Sequence, residues 1–243
     1  MIVNMELEFI KDMFDAIAPR YDFLNRLLSL RQDVYWRRFM ITALHLPPDA
    51  AVLDVACGTG DVLVEISEQR PNQGLVIGAD FAPQMLTLAK DKLIRKQLDT
   101  RIHLTAGNGL HLPFPADTFD AVTIAFGIRN IMDRKSALAG FFDCLKPGGR
   151  LAVLELATPS HPFFLALYLF YFSRILPLIG AFFSNHLKAY DYLPASVLNF
   201  PPPKEFAAIM KQAGFTGIKW RRLTFGIATV FIGQKPFPDL TAQ

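Results

Sequence analysis

The chain has 243 residues, of which 51% are hydrophobic and 19% charged, which is enough for one large domain with a substantial buried core. A net charge of +3 does not provide the strong positive field of a nucleic-acid-binding protein. Two cysteines, Cys57 and Cys144, give neither a disulfide framework nor metal-ligand spacing, and the acidic N-terminus is not a signal peptide. We therefore expect one cytoplasmic domain over residues 1–243, with no metal and no nucleic-acid partner.

The first 50 residues predict helices rather than strands. Apolar residues recur at helical spacing over residues 9–30, and Pro19 predicts a bend near Ala18, with the second helix over residues 22–31. A third helix is expected over residues 34–46. These N-terminal helices either cover the open edge of a ligand site or simply pack against the flank of the domain.

After residue 50, predicted strands alternate with predicted helices. This order predicts an α/β fold, a Rossmann-like, doubly wound, mostly parallel sheet with helices on both faces. Ligands bind such sheets at the carboxyl ends of the strands. The predicted strands are residues 51–56, 75–79, 102–106, 119–125, 150–156, 218–223 and 228–234, and the predicted helices between them are residues 61–69, 82–97 and 134–145.

A glycine turn follows the first strand, which contains Asp54. Gly58 and Gly60 permit left-handed backbone and close approach of a ligand, and Asp80 ends the second strand, where a carboxylate accepts hydrogen bonds from ribose hydroxyls. The third glycine of a dinucleotide fingerprint is Leu63 here, and Asp61 would repel a pyrophosphate. The turn therefore favours S-adenosylmethionine (SAM) over NAD. The alternative is a βαβ unit whose glycines serve packing alone.

Residues 163–183 form an apolar segment with a single charge, Arg174. The length is sufficient for a membrane span, but the charge, Pro177 and Gly180 oppose one. We expect residues 160–200 to form an apolar helical insertion, a lid that touches a membrane surface, with Arg174, Lys188, Arg221 and Arg222 near anionic headgroups. The alternative is a buried helix pair. An exposed patch of this kind implies membrane contact or a homo-oligomer.

Several motifs resemble class I SAM-dependent methyltransferases, and more narrowly the C-methyltransferases of ubiquinone and menaquinone biosynthesis. The run over residues 126–130, Phe-Gly-Ile-Arg-Asn, is the most specific of them. The others are Gly58-Thr59-Gly60, Asp80, Tyr21 to Asn25, Leu112 to Pro115, Lys146 to Arg150, Leu154-Glu155 and the tail motifs from Ala189 to Lys235.

The resemblance implies SAM as cofactor and a prenylated quinol as acceptor, at the inner face of a membrane. The apolar lid over residues 160–200 is then expected to line a slot for the prenyl tail. Thr59, Asp80, Asn108 and Gly109 match cofactor-contacting positions, and Ala125 stands where the family usually has a serine. Asp54, Gly58 and Gly60 complete the expected cofactor site. Asn108 either bonds the adenine edge or is an ordinary turn residue.

Arg129, Asn130 and Tyr21 are the expected catalytic residues. Arg129 stays protonated and is expected to stabilise the phenolate of the acceptor, while Asn130 and Tyr21 orient the ring or a water. The alternatives are a salt bridge from Arg129 to Asp22 or Asp133, and core packing for Tyr21. His111 is expected to be a loop residue rather than a base.

The expected reaction is SAM-dependent C-methylation of demethylmenaquinol, with a benzoquinol as the related substrate. Two other functions stay open: methylation of another lipid-like acceptor, and a non-catalytic lipid-binding subunit of a quinone-biosynthesis complex.

Overall fold

A computed structural model describes residue 15 and residues 18–70, 74–175 and 187–238 of the chain. The first predicted helix, Pro177, Gly180 and the Lys188 side chain lie outside the described part. Within it, the N-terminal helices are α1 (Tyr21–Leu28), preceded by a 3₁₀ turn at Ala18–Arg20, and α2 (Gln32–Leu44). The second predicted helix is therefore present, whereas the bend predicted near Ala18 stays a prediction, because the helix before it is outside the described residues.

Seven strands form one sheet in the order β3-β2-β1-β4-β5-β7-β6. Neighbours run parallel except at β7, which is antiparallel to both β5 and β6, so the predicted mostly parallel sheet is confirmed. The chain order reverses between β1 and β4, which is where a doubly wound sheet opens a ligand crevice. The strands are β1 (Val52–Val55), β2 (Val76–Asp80), β3 (Ile102–Ala106), β4 (Phe119–Ala125), β5 (Leu145–Leu156), β6 (Thr216–Leu223) and β7 (Ala228–Gln234).

Helices pack on both faces of the sheet. On one face α2, α3 (Asp61–Gln69) and α4 (Pro83–Arg95) bury apolar side chains such as Met40, Leu44 and Leu63. On the other face α5 (Arg134–Cys144) and α8 (Pro203–Gln212) bury Phe141 and Phe206. The sequence analysis did not predict α8, whose first turn follows Pro201 and Pro202 and carries Pro203 itself.

The predicted apolar insertion begins with α6 (Pro162–Phe170), continues into a π-helical turn at Tyr171–Ile175, and ends with α7 (Leu187–Leu198). These elements bury a separate cluster in which Leu24 of α1 meets Tyr168, Phe172 and Val197. The insertion and the first described helix therefore pack against each other and form a common cover. No helix in the described ranges is long and apolar enough to cross a membrane.

Candidate active site

A cavity with a volume of about 700 Å³, including its open mouth, lies at the carboxyl ends of β1, β2 and β4. Five of the predicted cofactor-binding residues come together in its wall, and these are Gly58, Asp80, Asn108, Gly109 and Ala125. The wall also contains Tyr21, Val55, Ala56, Phe81, Met85, Gly107, Phe126, Gly127, Asn130 and Ile131. The parallel arrangement explains this convergence, since the loops after all these strands leave the same edge of the sheet.

Asp80 ties the glycine turn to the end of β2. Its carboxylate accepts a hydrogen bond from the backbone N–H of Gly58 at 2.7 Å and another from Ala82 at 2.9 Å. Burial raises the pKa of Asp80, and the two backbone donors oppose that rise. A carboxylate oxygen can accept more than one hydrogen bond. Asp80 can therefore hold the turn and still receive ribose hydroxyls.

The residues around this cavity fit SAM. Gly58 has φ +54, and the position that a Cβ would occupy there is open. Phe81, Met85 and Ile131 provide apolar contacts for an adenine ring. Among the described residues of the wall there is no lysine or arginine, so the groups that usually receive a pyrophosphate are missing from it.

Three predicted cofactor residues, Asp54, Thr59 and Gly60, do not line the cavity. Asp54 is 1% exposed and accepts a 2.7 Å hydrogen bond from Thr123, its neighbour in the β1–β4 register. Burial raises its pKa to about 7. Its second oxygen, Oδ2, has no hydrogen-bond partner among the described residues. The structure therefore places Asp54 inside the sheet beneath the turn, and not in the wall of the cavity.

Thr59 belongs to an ionic network that joins the N-terminal helices to the glycine turn. Its hydroxyl donates to Asp22 of α1 and accepts from Lys92 of α4, so it is engaged away from the cavity. Lys92 also pairs with Asp22 at 2.6 Å and with Asp61 at 2.7 Å.

The network continues from Asp61 into α1 and α2. Asp61 pairs with Arg26 at 2.9 Å and with Arg37 at 3.2 Å, and Asp33 pairs with the same two arginines. Burial opposes the charge of Asp61, but Arg37, Lys92 and Arg26 together lower its pKa. Asp61 therefore shares three cations with Asp22 and Asp33, and it faces the helical cover.

A second, larger cavity lies under the cover and has a volume of about 2310 Å³ including its open mouth. Its wall is predominantly apolar, with side chains from α1, α6 and the π-helical turn. Its polar lining residues include Arg129, Tyr192 and Tyr21. The apolar lining residues include Leu24, Leu27, Leu28, Leu167, Phe172, Ile175 and Leu193.

The two cavities share a wall, because Tyr21 and Phe126 line both. Phe126 has φ +59, a left-handed backbone that is unusual for a residue with a Cβ. The next residue packs so tightly that a Cβ on Gly127 would lie 2.8 Å from the Cβ of Ala56. Arg37 lies 5.5 Å from the centre of the Phe126 ring. The turn after β4 is thus held in a fixed conformation between the two cavities.

Arg129 follows this turn and forms a buried ion pair that the sequence analysis missed. Its Nη1 lies 2.8 Å from Glu155 Oε1, and its backbone N–H donates to Oε2 of the same carboxylate at 3.1 Å. Glu155 is fully buried. Burial opposes the charge of Arg129, but Glu155 and then Tyr21 raise the pKa of the guanidinium. Arg129 does not form the alternative salt bridges to Asp22 or Asp133, because Asp22 pairs with Lys92 and Asp133 caps α5.

Asn130 and Tyr21, the other predicted catalytic residues, also lie at the junction. Asn130 lines the first cavity, and its Oδ1 accepts a 3.0 Å hydrogen bond from Tyr192. Burial raises the pKa of Tyr21, so its hydroxyl is a hydrogen-bond donor at neutral pH and not a base. Asn108 is a turn residue whose Oδ1 accepts from the Leu110 backbone at 3.0 Å. His111 is exposed and lines neither cavity.

Solved structures with the same fold include methyltransferases and an enzyme of another kind. A SAM-dependent methyltransferase from Thermotoga maritima, described as a possible histamine N-methyltransferase, superposes with a TM-score of 0.65 and 18% identity, covering 92% of this chain and 98% of that one. The cyclase SpnF superposes with a TM-score of 0.70 and 15% identity, covering 94% and 96%. These likenesses show the fold alone.

Sequence relatives are more specific. The chain is 49% identical over 228 residues to the ubiquinone/menaquinone biosynthesis C-methyltransferase UbiE of Geobacter sulfurreducens, covering 94% of this chain and 89% of the relative. It is 47% identical to the demethylmenaquinone methyltransferase of Deinococcus radiodurans, covering 93% and 92%. A model of the ubiE/COQ5 methyltransferase family matches residues 2–235. The chain therefore belongs to the ubiE/COQ5 methyltransferase family.

Proposed function

We propose that this protein transfers a methyl group from SAM to a ring carbon of a prenylated quinol, converting demethylmenaquinol to menaquinol. The observation that carries the proposal is the junction of the two cavities at Tyr21 and Phe126. One cavity has the acid and the apolar contacts that suit an adenosyl group, and the other has an apolar wall with a few polar groups at the junction. A quinol ring at the junction would have its tail in the larger cavity.

In this arrangement each residue has a distinct task. SAM would supply a methyl group already activated by its sulfonium. As the methyl group bonded to the ring carbon, its bond to sulfur would break, and the ring carbon would lose its proton to water. Asp80 and the turn at Gly58 hold the adenosyl end, and Tyr21 and Phe126 fix the position of the acceptor ring against it, which is a large contribution when two reactants must meet. Arg129 provides N–H donors for the ring oxygen as it gains negative charge.

The pairing of Arg129 with Glu155 limits which N–H groups of this arginine are available to the acceptor. A guanidinium has five N–H donors, and the bonds to Glu155 and to the Phe126 carbonyl use Nη1, while Nε bonds Ser196. The Nη2 group makes none of these bonds. We assign Nη2 to the acceptor oxygen, with Glu155 holding the arginine in place and balancing its charge while the ring is neutral.

The test is a methyl-transfer assay with labelled SAM and reduced acceptors. Demethylmenaquinols with one and with several isoprene units are compared with the matching demethyl benzoquinols. Burying one five-carbon unit contributes up to about 4 kcal/mol before the cost of ordering it. We therefore expect a higher KM for the shorter tail at similar kcat. Tight quinol binding without methyl transfer would instead indicate a non-catalytic lipid-binding subunit, and transfer only to a non-quinoid lipid would indicate another acceptor.

We also propose that the protein is peripherally bound to a membrane and that the cover contacts the membrane surface. Large apolar side chains are exposed around the mouth of the larger cavity, including Leu30 at 82%, Phe225 at 69% and Leu167 at 57%. Exposed arginines are close in sequence to this rim, Arg174 in the π-helical turn and Arg222 two residues before Thr224. Apolar side chains flanked by cations are typical of proteins that bind anionic bilayers.

A vesicle experiment tests this surface. Replacing Leu167 and Phe225 together with serine should lower the fraction of protein that floats with vesicles containing anionic lipid by at least several-fold. Ile94→Ser is the matched control, because Ile94 is also exposed but lies in the last turn of α4, away from the strands' carboxyl ends. Equal flotation of the double variant, the control and the unchanged protein would contradict the proposal.

A further inference from the structure

Helix α7 turns two polar side chains toward the Arg129-Asn130 pair. Tyr192 donates its hydroxyl to Asn130 Oδ1 at 3.0 Å, and Ser196 accepts a hydrogen bond from Arg129 Nε at 3.3 Å. Residues four apart lie on the same face of a helix. One face of α7 therefore contacts both members of the pair, 62 and 67 residues away along the chain.

Each of these bonds removes a rotational freedom from a side chain at the junction of the cavities. Tyr192 engages the carbonyl oxygen of the Asn130 amide, which leaves the Nδ2 donors for the cofactor cavity that Asn130 lines. The Ser196 hydroxyl donates to the Leu193 carbonyl at 2.9 Å, so its oxygen is presented as an acceptor to Arg129. With Glu155 on Nη1 and Ser196 on Nε, the plane of the guanidinium is set from two directions.

We propose that Tyr192 and Ser196 are positioning residues that orient Asn130 and Arg129 for methyl transfer. This inference rests on the proposed function. The bonds that carry it lie mostly out of solvent, since Ser196 and Arg129 are each at least nine-tenths buried. The competing interpretation is that α7 only forms the wall of the tail cavity, because Tyr192 and Leu193 also line that space.

The location of α7 makes the two interpretations separable. The helix closes the apolar insertion, and Val197 packs in the cluster that contains Leu24, Tyr168 and Phe172. A wall residue acts on the tail, so its loss raises the KM of a long-tailed acceptor and has little effect on a short one. A positioning residue acts on the reacting ring, so its loss lowers kcat for every acceptor regardless of tail length.

The experiment compares Tyr192→Phe, Ser196→Ala and the double variant with the unchanged protein, using quinols with one and with several isoprene units. We expect kcat to fall about 10-fold in each single variant with both acceptors, the effect of roughly one lost hydrogen bond to a charged or oriented group. The acceptor KM should change less than about threefold. Because both residues act on one pair, the double variant should lose less than the product of the single effects.

Two further measurements and three further variants serve as controls. SAM affinity by calorimetry and the thermal midpoint should stay close to those of the unchanged protein, which shows that the variants fold. Ser196→Thr keeps a hydroxyl and should recover most of the lost kcat. Tyr35→Phe and Ser173→Ala change an exposed tyrosine and an exposed serine that line neither cavity, and they should retain full activity.

Unchanged kcat in both single variants, or a rise in KM confined to the long-tailed acceptor, would overturn the assignment and leave α7 as a wall. Failure of the unchanged protein to methylate any quinol would instead remove the proposed function itself. The two failures are therefore distinguishable in the same set of assays.

Discussion

Arg129→Gln is expected to lower kcat about 1000-fold while SAM still binds. The reason is that donors aimed at a developing oxyanion in a buried site contribute on the order of 100- to 1000-fold to turnover, and Arg129 lines the acceptor cavity and not the cofactor cavity. Single-turnover methyl transfer to a short-tailed quinol measures the loss directly.

The same substitution should also destabilise the fold, because it leaves the fully buried carboxylate of Glu155 without its cation. Removing one partner of a buried ion pair costs about 3–5 kcal/mol. The matched control is the double variant with Arg129→Gln and Glu155→Gln, in which neither buried charge remains. This double variant should recover most of the decrease in thermal midpoint and should stay inactive. Recovery of activity together with stability would show that Arg129 is a structural residue only.

Asp80→Asn should weaken SAM binding about 100-fold. The change removes the negative charge that suits ribose hydroxyls, and it replaces one acceptor oxygen by an NH2 group, so that only one of the Gly58 and Ala82 N–H groups keeps its acceptor. Hydrogen bonds to a charged group contribute about 1.5–3 kcal/mol, and about 1.4 kcal/mol corresponds to a factor of ten in affinity. Calorimetric titration with SAM measures the change.

Asp91→Asn is the matched control for that titration, because Asp91 is an exposed carboxylate on the same helix that follows Asp80. It should leave SAM affinity unchanged. If Asp80→Asn bound SAM as tightly as the control, the ribose would have to sit elsewhere, and the cofactor site assigned to this cavity would be wrong.

The strands and the edge of the sheet that carries the site were predictable from the sequence, because both follow from local patterns. Alternating apolar runs and helical segments predict a parallel sheet, and a parallel sheet brings Gly58, Asp80, Asn108 and Ala125 to one edge. The boundaries were less exact: β5 begins at Leu145, five residues before the predicted start, since the chain from Leu145 to Gly149 stays in the strand and Leu145 pairs with Phe119.

The partners of the predicted residues were not predictable in the same way, because they depend on register and on contacts between distant segments. The β4–β5 register pairs Ala125 with Leu154, and this places Glu155 beside the turn that carries Arg129. The motif Leu154-Glu155 was visible in the sequence, but nothing local indicated its partner. Thr59 matched a cofactor position by motif. In the structure α1 and α4 pack against the turn, and the Thr59 hydroxyl hydrogen-bonds Asp22 and Lys92.

The ionic network around Asp61 has a consequence for protein engineering. Ion pairs join α1 and α2 to Asp61 and Lys92, so these two helices cannot be treated as an interchangeable cap. A chimera that takes α1 and α2 from a relative would also need matching residues at positions 61 and 92. Otherwise the charged side chains of the new helices would lack partners of opposite charge there. The substrate range of this protein is therefore easier to redesign by changing the apolar residues that line the larger cavity than by grafting a foreign N-terminal segment.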